Sequence, residues 1–236
     1  MAAIEIHIND KPVACESGMT VLQACRNANV DLPTLCALKG LSNVGACRLC
    51  LVEMEGSPRL FAACTLQVAA NQRIRTDTEK LRRYRKMTVE LLFAERNHVC
   101  SVCVVNGDCE LQDLGHKVGM DHVRFPFLSP VCELDSSKSE YAIDQNRCVL
   151  CTRCVRVCAE VEGAHNWDVM GRGTSSRVIS DLNQPWAESS TCTTCGKCVD
   201  VCPVGALWDK HKAQGQAKKR PEFISELIAK RKEARS

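Results

Sequence analysis

Two copies of one cysteine run constrain this chain more than any other feature in it. Cys148, Cys151, Cys154 and Cys158 are spaced C-x2-C-x2-C-x3-C. Cys192, Cys195, Cys198 and Cys202 repeat that spacing, and Pro203 completes the second copy. Two further sets precede them: Cys36, Cys47, Cys50 and Cys64 (C-x10-C-x2-C-x13-C), then Cys100, Cys103 and Cys109 (C-x2-C-x5-C). Together these take 15 of the 18 cysteines. Cys15, Cys25 and Cys132 are left over and receive no role, because free cysteine is commonly just buried. An even count would also suit a secreted disulfide framework. Against that, the opening MAAIEIHINDKPV has neither the basic nor the apolar region of a signal peptide. Cysteines repeated at x2 spacing also suit the wrapping of a metal centre. Reduced thiols place the expectation in the cytoplasm. No stretch approaches the ~20 apolar residues of a membrane span.

The donor sets point to iron rather than zinc. Structural zinc sites take two separated pairs of ligands, whereas each run here supplies a full quartet. The duplicated spacing is that of bacterial two-cluster ferredoxins, whose fourth cysteine serves the other cluster. Three thiolates on a tight loop hold three irons of a cubane; the fourth cysteine is expected to start a helix and reach across. Cys148, Cys151, Cys154 and Cys202 are therefore expected to hold one [4Fe–4S] cluster, and Cys192, Cys195, Cys198 and Cys158 another. Ala159 replaces the proline of the first copy, which loosens the turn but removes no ligand. Cys36, Cys47, Cys50 and Cys64 resemble a [2Fe–2S] set, and the small residues Gly45 and Ala46 let backbone amides approach its sulfurs. Cys100, Cys103 and Cys109 are one thiol short of a cubane. His98 is the nearest candidate for the fourth ligand, since imidazole suits iron.

Aromatic residues are only 4% of the 236 residues, few for one large core. Several small domains, each stapled by a cofactor, would relieve that shortage. Ile4 to Ile8 alternates like a half-buried strand, Asn9 to Pro12 reads as a turn, and Val13 to Cys15 as the returning strand. Thr20 and Gln23 have capping-box spacing and open a helix running to about Asn29. Thr78 is the expected N-cap of a helix over 77–97. Leu81, Tyr84, Met87, Thr88, Leu91 and Leu92 form its apolar stripe, and Arg82, Arg83, Arg85 and Lys86 its solvated face. Residues 119–139 read as a linker or wrap, and a 33-residue insert separates the two repeats. Glu222 to Arg235 can form an amphipathic helix carrying Phe223, Ile224, Leu227 and Ile228. Net charge is +3, but Gly205 to Ser236 carries nine Lys and Arg against four Asp and Glu, or +5, which leaves −2 elsewhere. A solvated or partner-docking tail is preferred to a nucleic-acid-binding one.

The expected fold class is α+β. A β-grasp [2Fe–2S] domain spans 1–77, a small helical His/Cys3 cluster domain 78–137, a two-[4Fe–4S] ferredoxin-like domain 138–211, and a basic tail 212–236.

Taken in order, these sets resemble the small iron–sulfur (gamma, diaphorase) subunit of bidirectional NAD-reducing [NiFe]-hydrogenases. That subunit is similar to the N-terminal part of the large iron–sulfur subunit of respiratory complex I and of cytosolic [FeFe]-hydrogenases. Leu32 to Cys36, Gly45 to Glu53, Met87 to Asp113, Asn146 to Ala159 and Gly196 to Pro203 carry the match. The resemblance implies one [2Fe–2S] and three [4Fe–4S] clusters. It implies partners too: a flavoprotein subunit binding FMN and NAD, the hydrogenase small and large subunits, and a further small diaphorase subunit. The chain would relay single electrons between NAD chemistry and hydrogen chemistry without a catalytic residue of its own. No G-x-G-x-x-G fingerprint is present, so nucleotide binding is expected elsewhere. One departure stands out. The complex I pattern places its histidine four residues before the first cysteine, where this chain has Arg96. Arginine is permanently protonated and cannot ligate, so either the helix end is reshaped to bring in His98 or the ligand comes from elsewhere. The alternatives are the equivalent subunit of an NAD-linked formate dehydrogenase or complex I-like enzyme and, remotely, an iron–sulfur nucleic-acid-binding protein.

Overall fold

Ile6 and Ile8 turn inward from strand β1 (Ala3–Ile8) and are almost fully buried. The computed structural model describes residues 3–213 and 216–233, without the side chain of residue 232. Asn9 and Asp10 both take positive φ, 50° and 65°, the backbone of a two-residue hairpin turn. The turn is thus shorter than the sequence suggests, and Pro12 lies inside β2 (Lys11–Glu16). It is tolerated there because β2 is an edge strand. Helix α1 (Val21–Asn27) opens with the reciprocal Thr20–Gln23 capping box. Strands β3 (Leu51–Met54), β4 (Leu60–Ala62) and β5 (Arg73–Arg75) complete a sheet ordered β2-β1-β5-β3-β4, with β1 and β5 parallel. A helix crossing a mixed sheet of this order is a β-grasp. Cys15 and Cys25 are buried in its core with Ile6, Val52 and Ile74.

Thr78 caps helix α2 (Glu79–Glu95), as its sequence position predicts. The buried stripe, however, is Leu81, Arg85, Val89, Glu90 and Ala94, while Tyr84 and Leu91 are exposed. The sequence misplaces Arg85 on the solvated face because a guanidinium can be buried when its donors are satisfied. Here Nε donates to the Leu49 carbonyl at 3.2 Å, and Nη2 to the carbonyls of Leu51 and Thr76 at 2.8 and 2.7 Å. Helix α3 (Glu110–Lys117) follows the second cysteine set. Residues 119–133 then wrap back over α2: Arg124 meets the buried Glu90, and the Leu128 amide donates to Ala94.

The remaining chain builds a three-stranded antiparallel sheet from β6 (Leu134–Asp135), β7 (Tyr141–Asp144) and, far downstream, β10 (Leu207–Asp209). Between them lie α4 (Arg153–Arg156), the hairpin of β8 (Trp167–Met170) and β9 (Arg177–Ser180), and α5 (Lys197–Val201). The apolar interior forms two clusters, not three. One belongs to the β-grasp; the other runs without a break from Leu111 and Leu114 through Val157 and Trp186 to Ile224.

Among the described residues of the basic tail, several side chains pack back on the chain. Helix α6 (Phe223–Glu233) buries Ile224 completely against Gly40, where an added Cβ would lie 2.6 Å from Ile224 Cγ2. Lys219 Nζ donates to the carbonyls of Val199 and Leu207, and Arg231 to that of Val161. These positive charges satisfy carbonyls of buried helix and strand residues of the same chain.

Candidate iron–sulfur sites

The two cysteine runs share one backbone device. In the first copy Leu150 and Thr152 take left-handed φ of 50° and 57°; in the second, the equivalent Thr194 and Gly196 take 57° and 72°. Such residues tilt successive peptides so that the loop closes on itself. Amides of Leu150 and Arg153 thereby bond the sulfurs of Cys148 and Cys151. Only Gly196 lacks a side chain, and the reason is local: a Cβ there would sit 2.6 Å from Tyr141 Oη.

Helices α4 and α5 begin just before the third cysteine of each run, at Arg153 and Lys197, so the fourth cysteine follows along the helical stretch and does not start one. Cys202 caps α5, and Pro203, without an amide hydrogen, keeps the helix from continuing. Ala159 imposes no such stop. The chain runs on from α4 as a π-helical segment, Val157–Glu162, and Cys158 lies inside it. Its sulfur accepts from the Asn166 amide at 3.3 Å.

The side chains gather as the crosswise spacing leads one to expect. Cys148, Cys151, Cys154 and Cys202 line one cavity, closed by Ile143, Val178 and Leu207. Cys158, Cys192, Cys195 and Cys198 line a second, beside Tyr141, Trp167 and Trp186. In a chain so poor in aromatics this concentration is informative. Trp186 stacks on Tyr141 at 5.8 Å, meets Trp167 edge-on at 4.7 Å and donates its indole N–H to Cys192 Sγ at 3.2 Å. Trp167 likewise bonds Cys198. Cys195 is exposed, so this cavity opens to the surface.

A third cavity is lined by His98, Cys100, Cys103 and Cys109. His98 lines this cavity three residues past the end of α2. Arg96 turns away, donating to Cys132 Sγ at 3.2 Å and to the Ser176 carbonyl at 2.7 Å. The His98 ring bonds the Leu92 backbone, while its Nε2 is buried with no hydrogen-bond partner. Burial lowers its pKa to about 4, which keeps the imidazole neutral. An unpartnered, neutral ring nitrogen beside three thiols has the chemistry of a metal-ligand set. Gly205 is part of the same wall: a Cβ on it would lie 2.5 Å from Cys103 Sγ. Val204, next to it, lines this cavity and the Cys148 cavity alike.

Cys36, Cys47, Cys50 and Cys64 meet at the edge of the β-grasp. The Cys47 amide reaches Cys36 Sγ at 3.5 Å, and Cys36 is held well below the usual thiol range by hydrogen bonds from Cys47 and Cys64. Cys47 and Cys64 are pushed up in turn, chiefly by Cys36. Four thiols this close cannot all ionise without added positive charge. Elsewhere burial raises the Cys148, Cys151 and Cys198 thiols to about 12 and Cys109 to about 11. Among the described residues no three His, Cys, Asp or Glu side chains converge as they would on one ion.

Trp186, Tyr141, Val204 and Gly205 escape the sequence reading. A signal existed in the scarce aromatics near the second run and in Pro203-Val204-Gly205 beside a ligand.

Three family descriptions match in succession: "2Fe-2S iron-sulfur cluster binding domain" over 1–79, "NADH-ubiquinone oxidoreductase-G iron-sulfur binding region" over 85–124, and "NADH-quinone oxidoreductase subunit 3, ferredoxin-like domain" over 141–208. The mitochondrial NADH dehydrogenase [ubiquinone] iron-sulfur protein 1 of Solanum tuberosum is 35% identical over 207 residues, 88% of this chain. The match takes in only 28% of that longer relative. The gamma subunit of the NAD-reducing hydrogenase HoxS of Cupriavidus necator is 33% identical over 209 residues, 88% of each chain. The chain belongs to the family of this gamma subunit. A chain of the crystal structure of NAD+-reducing [NiFe]-hydrogenase in the H2-reduced state superposes with a TM-score of 0.85 at 33% identity, covering 94% of this chain and 95% of that one. The family thus carries one [2Fe–2S] domain followed by [4Fe–4S]-binding domains. Among the described residues no helix is long and apolar enough to cross a membrane.

Proposed function

We propose that this chain is the electron-relay subunit of an NAD-reducing [NiFe]-hydrogenase. It would pass single electrons between a flavoprotein subunit that exchanges hydride with NAD(H) and a hydrogenase module that interconverts H2 and protons. One observation carries the reading: three of the four donor quartets line cavities joined through shared residues or one helix. Val204 separates the His98 cavity from the Cys148 cavity, and α4 with its π-helical continuation carries Cys154 toward one ferredoxin-type cavity and Cys158 toward the other. Cys36, Cys47, Cys50 and Cys64 would hold a [2Fe–2S] cluster; His98, Cys100, Cys103 and Cys109 a [4Fe–4S] cluster; the crosswise quartets two more. Bound iron–sulfur clusters supply reversible one-electron chemistry. The chain's own residues hold thiolates, aim amides and indoles at sulfur, and exclude water. The domains would reach from 1 to 77, 78 to 137 and 138 to 211, with 212–236 as a basic tail, and the complex would work in the cytoplasm.

Native mass spectrometry of the complex from its host is the direct test. It should report flavoprotein and hydrogenase subunits together with about 14 irons on this chain. Formate dehydrogenase subunits in their place would redirect the assignment, and NADH oxidation by the purified single chain would refute the relay role.

His98→Ala is expected to lower the load to about 10 irons and remove one [4Fe–4S] signal from the EPR spectrum of the reduced protein, since a cubane with three protein ligands is easily lost. An unchanged spectrum excludes His98 as a ligand. The raised thiols give a pH dependence as well. Cys148, Cys151 and Cys198 hold their protons at neutral pH without iron. Cluster insertion must displace those protons, so retention weakens as pH falls, by about tenfold per unit per displaced proton. His98, already neutral above about 4, releases none. Proton release during reconstitution, followed in a pH-stat near pH 7, should include Cys109, Cys148, Cys151 and Cys198 and omit His98 and the already ionised Cys36.

A further inference from the structure

Arg156 is buried at 6% exposure, and every acceptor it has is a neutral oxygen. Nη2 donates to the Cys36 carbonyl at 2.7 Å and to the Cys151 carbonyl at 3.0 Å. Nη1 donates to the Ser42 carbonyl, and Nε to the carbonyl and hydroxyl of Thr152. Its neighbour on the same helical turn, Arg153, is also buried but forms a bidentate pair with Glu110 at 2.5 and 2.7 Å. The carboxylate one turn onward from Arg156, Glu160, is engaged instead by the amide and hydroxyl of Ser42.

A buried guanidinium without a carboxylate is costly unless other negative charge surrounds it. The two carbonyls it grips belong to cysteines of two different quartets, Cys36 of the proposed [2Fe–2S] site and Cys151 of the proposed [4Fe–4S] site. Four thiolates outweigh the charge of either iron core, so each loaded site is a net anion. Resting on the cluster assignment above, we infer that Arg156 is the positioning residue that joins these two sites. It serves them in two ways. Its positive charge lies between them and favours the more negative, reduced state of each. Its one nitrogen also closes a hydrogen-bonded path from ligand to ligand, Cys36 C=O to Nη2 to Cys151 C=O. One electron leaves one cluster and arrives at the other, with no bond made or broken and no proton moved.

Arg156→Met and Arg156→Lys, each introduced into the whole complex, separate the two roles. Iron content, the EPR-monitored midpoint potential of every cluster, and the freeze-quench rate of transfer between these two clusters are read in each. In Arg156→Met both midpoints should fall while those of the His98 and Cys195 sites hold. In Arg156→Lys, which keeps the charge but lacks the Nε and Nη1 donors whose bonds to Thr152 and Ser42 fix Nη2 between the two carbonyls, the midpoints should stay near wild type and transfer should slow several-fold. Unchanged midpoints in Arg156→Met with full iron, or a shift confined to one of the two clusters, overturns the inference. If the methionine variant loses iron, the lysine variant decides: full iron with a wild-type transfer rate leaves Arg156 a structural clamp only. A wild-type complex carrying fewer than about 14 irons on this chain would instead count against the cluster assignment itself.

Discussion

Cys202→Ala is expected to erase the same cluster as Cys148→Ala, although the two residues belong to different copies of the repeat. Each variant should lose about four irons and the same EPR signal, and leave the Cys192 site intact. Cys158→Ala and Cys192→Ala should form the other matching pair. The expectation rests on where the fourth cysteines end up. Cys202 joins Cys148, Cys151 and Cys154 in one cavity, and Cys158 joins Cys192, Cys195 and Cys198 in the other. If Cys202→Ala instead emptied the site of its own run, the crosswise scheme would be wrong.

Arg85→Met should have the second large effect. It leaves the carbonyls of Leu49, Leu51 and Thr76 buried without their donor. At about 1–3 kcal/mol for each unsatisfied group, the loss is a large part of an ordinary domain's stability. It also strikes one place in particular. Leu49 and Leu51 flank Cys50, so the substitution loosens the strand start that presents that thiol. Thermal melting should show a destabilised β-grasp, and the [2Fe–2S] signal should fade while the [4Fe–4S] signals persist. Arg83→Met, on the same helix but facing solvent, should change melting by no more than about 0.5 kcal/mol. Equal effects from the two would contradict the role given to Arg85.

What the sequence made legible was short in range. Thr20 with Gln23 and Thr78 are local caps, written within one helical turn, and both appear where the spacing puts them. The cysteine sets were legible because ligand spacing on a loop is itself a geometric statement. Arg85 and Arg156 were not, since their acceptors lie 34–36 and 114–120 residues away for the contacts that matter most. Nothing in a run of basic residues tells which one will find carbonyls. The docking of α6 on Gly40 is of the same kind: the amphipathic pattern announces a helix but not the glycine that receives it. The continuation of α4 past Cys158 was half legible. Ala159 flagged the missing proline, but a helix that runs on as a π-turn depends on packing that the sequence does not spell out.

The exchange of fourth cysteines also bears on how such a chain matures. During synthesis the thiols of Cys148, Cys151 and Cys154 leave the ribosome well ahead of Cys202, and Cys158 ahead of Cys192, Cys195 and Cys198. Neither ferredoxin-type quartet is complete until the second run has emerged and the intervening β8–β9 hairpin has folded it back. On the proposed ligand assignment the two cubanes would therefore be completed together and late, and a chain interrupted within that hairpin would deliver neither.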